Sequence, residues 1–123
     1  MLKTFTFVKM QPGFSRDAFF ERWCQHTRDF DLHNHPEIMQ NRLMLIEGEG
    51  PFVGIAETHW EDAEAFERGL RRYQTPTGQV QWKDLKTFMD ADNSPTFVVS
   101  HEANVSIEGG VEILTVAAKQ STQ

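Results

Sequence analysis

The sequence has little of several features that would place a protein in a particular class. One cysteine among 123 residues excludes an intramolecular disulfide and fits a reducing compartment. No stretch approaches the roughly 20 apolar residues that span a bilayer, and residues 1–5 begin no apolar leader. The 12 basic side chains are scattered and outnumbered by 18 acidic ones, so the sequence has no basic face for nucleic acid. We therefore expect a cytoplasmic protein without membrane or nucleic-acid partners.

Aromatic side chains, in contrast, are plentiful. Ten Phe and three Trp stand against a single Tyr, which gives much flat apolar surface with few hydroxyl groups. Such a set fills a core, lines a pocket for an apolar ligand, or does both. The length suits one domain with a core of its own.

The first half of the chain predicts a strand, a helix and a hairpin. Residues 2–10 are β-branched and aromatic and end at Pro12-Gly13, which indicates a strand and a turn. Ser15 is placed to cap a helix that ends near Asp31. Residues 38–47 and 51–60 predict two strands joined by a glycine-rich link, hence a hairpin.

The second half predicts two helical segments and a last strand. Residues 61–72 begin with acids and end with arginines, as the helix dipole prefers. Thr75-Pro76 is a cap and first-turn pair for a helix to about Met89. Residues 96–105 predict a strand, Gly109-Gly110 a hinge, and residues 111–116 a short extra strand.

The order β-α-β-β-α-(α)-β predicts an α+β fold of the ferredoxin-like, split βαβ kind. Its antiparallel sheet carries helices on one face only, so the other face needs cover. A second copy of the same sheet is the economical cover, which predicts a homodimer arranged as a dimeric α+β barrel. We assign the domain to residues 1–106 and treat residues 107–123 as a tail and a candidate interface strand.

His26 is the first candidate for chemistry. It lies in one stripe of the first helix with Phe19, Trp23 and Phe30, all within about 60° around the axis. Such a histidine is either a satisfied core residue or a proton-transfer group. Glu57 and His59 share one face of the strand 51–60 with Ile55. If that face looks toward the helices, the three groups form an acid/base cluster; otherwise Glu57 and His59 face solvent or form structural hydrogen bonds.

Two further groups have side chains that can carry special chemistry. The acids and histidines of the helix-to-strand link alternate in a pattern that can supply metal ligands, although polar loop residues beside a proline are the usual explanation; they are Asp31, His33, His35 and Glu37. Cys24 points about 100° away from its neighbours on the helix, so we expect a small buried filler and no nucleophile. We expect neither a metal nor a cofactor.

Several blocks in order along residues 3–105 resemble the EthD-like family of the dimeric α+β-barrel group. They are Lys9, Pro12-Gly13-Phe14-Ser15-Arg16-Asp17-Ala18-Phe19, Trp23 with a nearby histidine, Phe52-x-Gly54-Ile55-Ala56-Glu57, and Phe88-Met89-Asp90 with Ser94. In the family the histidine usually follows the tryptophan by four residues, whereas here His26 follows Trp23 by three. The family often has an acid before the glycine, where this chain has Val53.

The resemblance implies a homodimer with a pocket between helices and sheet in each subunit. It implies proton transfer by His26, with Glu57 at the family's acidic position. We expect a cofactor-independent acid/base enzyme of isomerase, cyclase, decarboxylase or dehydratase type, acting on a small apolar or aromatic metabolite. The catalytic candidates are His26, Glu57 and His59, and the ligand-binding candidates are Phe19, Trp23, Phe30 and Ile55. The alternatives are a non-catalytic binding or accessory protein of an oxygenase pathway, and a cofactor-free oxidoreductase.

Overall fold

A computed structural model describes residues 1–114 of the chain. A four-stranded antiparallel sheet in the order β2-β3-β1-β4 forms its base. The strands are β1 (Leu2–Val8), β2 (Ile38–Leu45), β3 (Gly54–Trp60) and β4 (Thr96–Val98). β1 pairs antiparallel with both β3 and β4, so β1 and β2 run parallel with β3 between them. This is the split βαβ arrangement, and the predicted ferredoxin-like fold is confirmed.

The helices begin where the sequence places capping side chains. α1 (Arg16–His26) is capped by Ser15, whose Oγ accepts from the Ala18 amide at 3.1 Å. α1 continues into a π-helical segment (Thr27–Asp31) and a short α2 (Leu32–Asn34). After β3 come α3 (Ala63–Arg72) and α4 (Pro76–Leu85), the latter capped by Thr75 with Pro76 in its first turn. Among the described residues, no helix combines the length and the apolar character that a membrane crossing needs.

The two faces of the sheet carry different side chains. Register pairs Thr4 with Thr58 and Thr6 with Ala56 on the face toward the helices. Because side chains alternate along a strand, the next pairs lie on the opposite, outer face. These outer pairs are Lys3 with His59, Phe5 with Glu57, and Phe7 with Ile55.

The main core packs α1 onto one end of the sheet. Phe19 and Phe88 are fully buried, with ring centroids 5.8 Å apart, and Val8 lies with them. The indole of Trp23 packs over Gly54, where a Cβ would come within 2.6 Å of Trp23 Cζ3. This close approach explains why glycine stands at the start of β3.

The sequence predicted one continuous last strand over residues 96–105. This is wrong, because the segment forms two separate strands. β4 ends at Val98, opposite Thr4, and Val99 still donates to the Lys3 carbonyl at 2.9 Å. The chain then forms a separate antiparallel pair, β5 (Ala103–Ser106) and β6 (Gly110–Ile113). Gly109-Gly110, predicted as a hinge, forms the turn of this hairpin, with Gly110 at a φ of 68°.

The predicted strand 111–116 is β6 in part, and residues 115 and 116 lie outside the described residues. The proposed domain boundary at residue 106 falls inside this hairpin and stays a prediction.

Candidate active site

A cavity of about 320 Å³ lies between the helices and the inner face of the sheet. Its sheet side carries small and hydroxyl-bearing side chains: Thr4, Thr6, Asn41, Ala56, Thr58 and Thr96. Its helix side is aromatic and aliphatic: Trp23, Phe66, Leu70, Tyr73, Trp82 and Leu85. Trp60 and His35 also line the cavity, with their ring centroids 5.8 Å apart. The volume and the mixture of apolar walls with a few polar groups are typical of small-molecule sites.

Asp31 is the acidic side chain that lines this cavity, and a π-helical turn places it there. The Leu32 amide donates to the Thr27 carbonyl five residues back, which defines the π geometry. In an ordinary α-helix, residues five apart lie about 140° apart around the axis. The wider turn brings them toward one side, so Asp31 Oδ1 lies 3.8 Å from His26 Nε2. π-turns are frequent at functional sites.

The surroundings of Asp31 act on its pKa in opposite directions, and burial has the largest effect. Burial in the cavity wall raises its pKa, although the nearby His26 and the hydrogen bond from Gln81 oppose that rise. Gln81 Nε2 donates to Asp31 Oδ1 at 2.5 Å, while Gln81 Oε1 accepts from Asn34 Nδ2 at 2.9 Å. The carboxyl is therefore held in one position and is easier to protonate than an exposed aspartate.

His26 lies directly behind Asp31 and is not itself among the described cavity-lining residues. Its side chain is 1% exposed, and its ring contacts Phe30 and Phe88. Nδ1 is 2.7 Å from Asp84 Oδ2 on α4. Within the described part of the chain, the buried Nε2 has no hydrogen-bond partner. An imidazole nitrogen left free beside an acid that faces a cavity is suited to exchange a proton with that acid.

Asp84 anchors the outer side of His26. Its partial burial alone would raise its pKa, but hydrogen bonds from Arg22 and His26 outweigh this and lower the pKa. Arg22 Nη2 lies 2.5 Å from Asp84 Oδ1. Asp84 is therefore an ionised acceptor that holds His26 in place.

His35 and Tyr73 add polar groups to the cavity wall close to Asp31: Gln81 Nε2 also donates to Tyr73 Oη at 3.2 Å, and the His35 amide donates to the Asp31 carbonyl at 3.0 Å. Arg72 Nη1 lies 3.2 Å from His35 Nδ1, and since arginine only donates, Nδ1 is the acceptor and the hydrogen of the neutral ring is on Nε2. Burial and the positive charge of Arg72 lower the pKa of His35. Burial, with the charge of Asp31, raises the pKa of Tyr73. Both groups are thus neutral hydrogen-bonding groups near pH 7.

The predicted convergence of Glu57 and His59 on His26 is wrong. Both lie on the outer face of β3, because the residues that alternate with them, Ala56 and Thr58, face the cavity. There His59 Nε2 bonds Glu57 Oε2 at 2.6 Å, and Lys3 Nζ lies 3.8 Å from the same oxygen. Ile55, predicted to bind ligand, lies on that outer face as well.

Of the other residues predicted to bind ligand, one lines the cavity and two lie in packed side-chain contacts. Trp23 lines the cavity, whereas Phe19 is fully buried in the core and Phe30 packs on His26. Cys24 is exposed, so the prediction of a buried filler is wrong; it falls outside the buried face of α1 that holds Phe19, Trp23 and His26.

The histidines and acids of the helix-to-strand link do not come together. Asp31 and His35 line the cavity, His33 is exposed, and Glu37 pairs with Arg72. Over residues 1–114, no group of three histidine, cysteine or acidic side chains is close enough to hold a metal ion.

No protein-family model matches the chain, and no curated protein matches it. Solved structures share its fold. An EthD family protein from Bacillus halodurans superposes with a TM-score of 0.57 at 18% identity, over 80% of this chain and 97% of that one. SnoaB, a cofactor-independent oxygenase from Streptomyces nogalater, gives 0.57 at 15% identity, over 86% and 95%. A dimeric protein of unknown function with a ferredoxin-like fold, from Bacteroides fragilis, gives 0.51 at 9% identity, over 80% and 91%. The resemblance to EthD-like proteins is confirmed in the fold.

Proposed function

We propose that the chain is an enzyme that moves protons on a small, neutral and largely aromatic molecule held in the cavity, without a cofactor. In this proposal the Asp31 carboxyl faces the ligand and exchanges a proton with it, and His26 behind Asp31 accepts that proton. The reaction is then of isomerase, cyclase, decarboxylase or dehydratase type, because each of these depends on proton transfer to or from the substrate.

The observation that carries the proposal is the pair formed by Asp31 and His26. The carboxyl reaches the cavity, since 22% of the Asp31 side chain is exposed and it lines the wall. The free Nε2 of His26 lies 3.8 Å behind it. A buried polar atom without a partner is costly, and proton exchange with Asp31 would account for the one on His26.

The cavity walls support the ligand class. Aromatic rings of Trp23, Trp60 and Trp82 offer flat apolar contacts, which suit an aromatic or alicyclic ring. The threonine hydroxyls of the sheet offer hydrogen bonds to oxygen atoms on one side of such a ring. Neither lysine nor arginine is among the described residues that line the cavity, which favours a neutral ligand over an anion.

A second candidate function is cofactor-free oxidation of a hydroquinone-like substrate. The fold shared with SnoaB, a cofactor-independent oxygenase, favours it. The same acid/base pair would then remove the phenolic proton before the substrate reacts with oxygen. Oxygen consumption during turnover distinguishes this reaction from isomerisation, cyclisation or dehydration.

We also propose that two copies of the chain pair through the outer face of the sheet. That face carries Phe5, Phe7 and Phe97, and Phe97 is 56% exposed. The β5–β6 hairpin, which follows β4 along the chain, carries four exposed apolar side chains: Val105, Ile107, Val111 and Ile113. Apolar surface of this extent is typical of an interface. A fold neighbour, the Bacteroides fragilis protein, is described as dimeric.

A ligand screen followed by substitution of Asp31 tests the enzyme proposal. Neutral phenols, quinones and lactones are screened for thermal stabilisation of the whole protein, because a ligand of the folded state raises its stability by mass action. Each hit is then incubated with enzyme and followed for product. Replacing Asp31 with Asn should lower kcat by about 10²- to 10⁴-fold, the usual contribution of a general acid or base.

Asp29→Asn is the matched control, because Asp29 lies on the same π-helical segment but pairs with Arg28 at the surface. It should leave kcat unchanged. His26→Gln should lower kcat as Asp31→Asn does. A binding hit that is never turned over by the wild type, or full activity in Asp31→Asn, would contradict the proposal and favour a binding protein.

A further inference from the structure

The position of the hydrogen on His26 follows from its neighbour on α4. Asp84 accepts at both carboxyl oxygens, from Arg22 at 2.5 Å and from His26 Nδ1 at 2.7 Å. Two donors hold Asp84 ionised, and an ionised carboxylate can only accept. Nδ1 therefore carries the hydrogen of the neutral imidazole, and Nε2 presents its lone pair toward Asp31.

We propose that Asp84 is a positioning residue of the site, which holds neutral His26 in its Nδ1–H form so that Nε2 can take up the proton that Asp31 removes from the ligand. Asp84 touches neither the cavity wall nor Asp31 among the described contacts, so it acts only through His26. Arg22 holds the second oxygen and keeps the carboxylate in place. The inference rests on the proposed function, since Asp84 has this role only if Asp31 exchanges protons.

The proton transfer balances without any further reactant. A C–H or O–H bond of the ligand breaks, and its proton binds a carboxylate oxygen of Asp31. The proton then passes to His26 Nε2, which restores the Asp31 carboxylate and leaves an imidazolium. Returning the proton by the same route to another atom of the ligand completes an isomerisation, with no electron gained or lost. The 3.8 Å gap must shorten by about 1 Å, as is common when a ligand binds.

The groups that face His26 suit an imidazolium. Within the described chain, its charged neighbours are Asp31 from the π-helical segment, Asp84 from α4, and Arg22, which contacts Asp84. Phe30 and Phe88 fill the remaining sides with aromatic rings. An imidazolium would therefore have a carboxylate at each nitrogen, and the outer carboxylate sets the orientation of the ring.

Nitrogen NMR of the whole, uniformly ¹⁵N-labelled protein tests the inference without a ligand, because the two ring nitrogens of a neutral imidazole differ in shift according to which carries the hydrogen. We expect the Nδ1–H form in the wild type. In Asp84→Ala the outer acceptor is gone, so the hydrogen should move to Nε2, facing Asp31. In Asp84→Asn the amide oxygen still accepts, but the weaker bond should speed exchange of the Nδ1 hydrogen with water about tenfold.

Asp92→Ala, on the exposed turn after α4, is the matched control and should keep the wild-type form. Hydrogen on Nε2 in the wild type would overturn the inference, as would the same form in wild type and Asp84→Ala. Unchanged exchange in Asp84→Asn would overturn it even if Asp84→Ala fails to fold. The proposed function fails separately, because it depends on turnover by Asp31→Asn and not on the tautomer of the resting enzyme.

Discussion

Glu37 and Arg72 form a paired contact that ties the start of β2 to the end of α3. Glu37 is 7% exposed, and its two oxygens accept from the two terminal nitrogens of Arg72 at 2.5 Å each. Arg68 adds a third bond at 3.2 Å. These bonds, the one from Arg72 above all, lower the pKa of Glu37 from 4.5 to about 2. The pair also brings Arg72 against His35, which lines the cavity.

Glu37→Gln should lower the free energy of unfolding near neutral pH by about 1–3 kcal/mol, less than for a fully buried pair because Arg72 still reaches solvent. The lowered pKa means that the contribution is complete above pH 4.5 and is lost as the pH falls toward 2. Urea unfolding of both proteins across this range should show the difference shrink with acid. Glu64→Gln, on the exposed side of α3, is the control. A difference that does not change with pH would contradict this account.

Asp31 predicts the opposite dependence on pH. Burial raises its pKa, so the folded state binds a proton more readily than the unfolded state, and ionisation costs stability as the pH rises. Asp31→Asn should therefore gain stability relative to the wild type as the pH rises from about 3.8 through the raised pKa of folded Asp31, and should keep that advantage at higher pH. Thermal unfolding at several pH values measures this. A stability loss that increases with pH would show that the Asp31 carboxylate is stabilising.

At this scale the sequence placed His26 correctly on the buried stripe of α1, but it offered Asp31 only as a possible metal ligand and did not predict its place beside His26 in the cavity wall. A period of 3.6 residues puts residues 26 and 31 on different sides of a helix. No local sequence pattern predicts the π-helical turn that brings these two side chains together. The hydrogen-bond partner of His26 could not be predicted from the sequence either. Asp84 lies 58 residues away, and only the packing of α4 against α1 brings it close.

Among the elements, β3 alternates as the sequence indicates, but its Ile55–Glu57 face points away from the helices. The alternation of Val53, Ile55 and Glu57 was visible in the sequence, and apolar residues normally face the helices. Here the helix face must leave space for the cavity, so it carries Ala56 and Thr58 instead. The outer face carries the charged Glu57 and its partners on β3, and its apolar side chains come mainly from β1 and β4, as Phe5, Phe7 and Phe97.

Gly54 is the position of β3 with the least tolerance for a side chain. A Cβ there would lie 2.6 Å from Trp23 Cζ3 and 3.0 Å from the Met44 carbonyl oxygen. Gly54→Ala should therefore lower the free energy of unfolding by about 1–3 kcal/mol, because the indole or the strand must shift. Gly50→Ala is the control, since nothing lies within 4 Å of its Cβ position. Equal stabilities of the two variants in urea would contradict the packing described for Trp23.

For the whole molecule, the order of elements was enough to predict the ferredoxin-like sheet. The lengths of the last strands were not: β4 ends at Val98, opposite Thr4, although Lys3 and Leu2 of β1 lie beyond that pair, and residue type alone does not mark this end. Pairing of two copies through the outer face of the sheet can be tested by substituting one of its exposed apolar residues.

Phe97→Lys should convert a dimer of about twice 14.2 kDa into a monomer, because it places a charge among the phenylalanine side chains of the outer face. Val80→Lys is the control, since Val80 on α4 is similarly exposed but lies on the helix side of the sheet. Sedimentation or light scattering gives both masses. A monomeric wild type, or a dimer that survives Phe97→Lys, would contradict pairing through this face.

The central claim is that Asp31 is a protonatable group facing the ligand cavity. Carbon NMR of ¹³C-labelled aspartate carboxyls, titrated with and without a hit from the ligand screen, tests it most directly. The account predicts that Asp31 titrates above the ordinary 3.8 and that the ligand shifts its resonance, while that of Asp29 does not move. An Asp31 carboxyl that titrates at or below 3.8 and does not respond to ligand would contradict it.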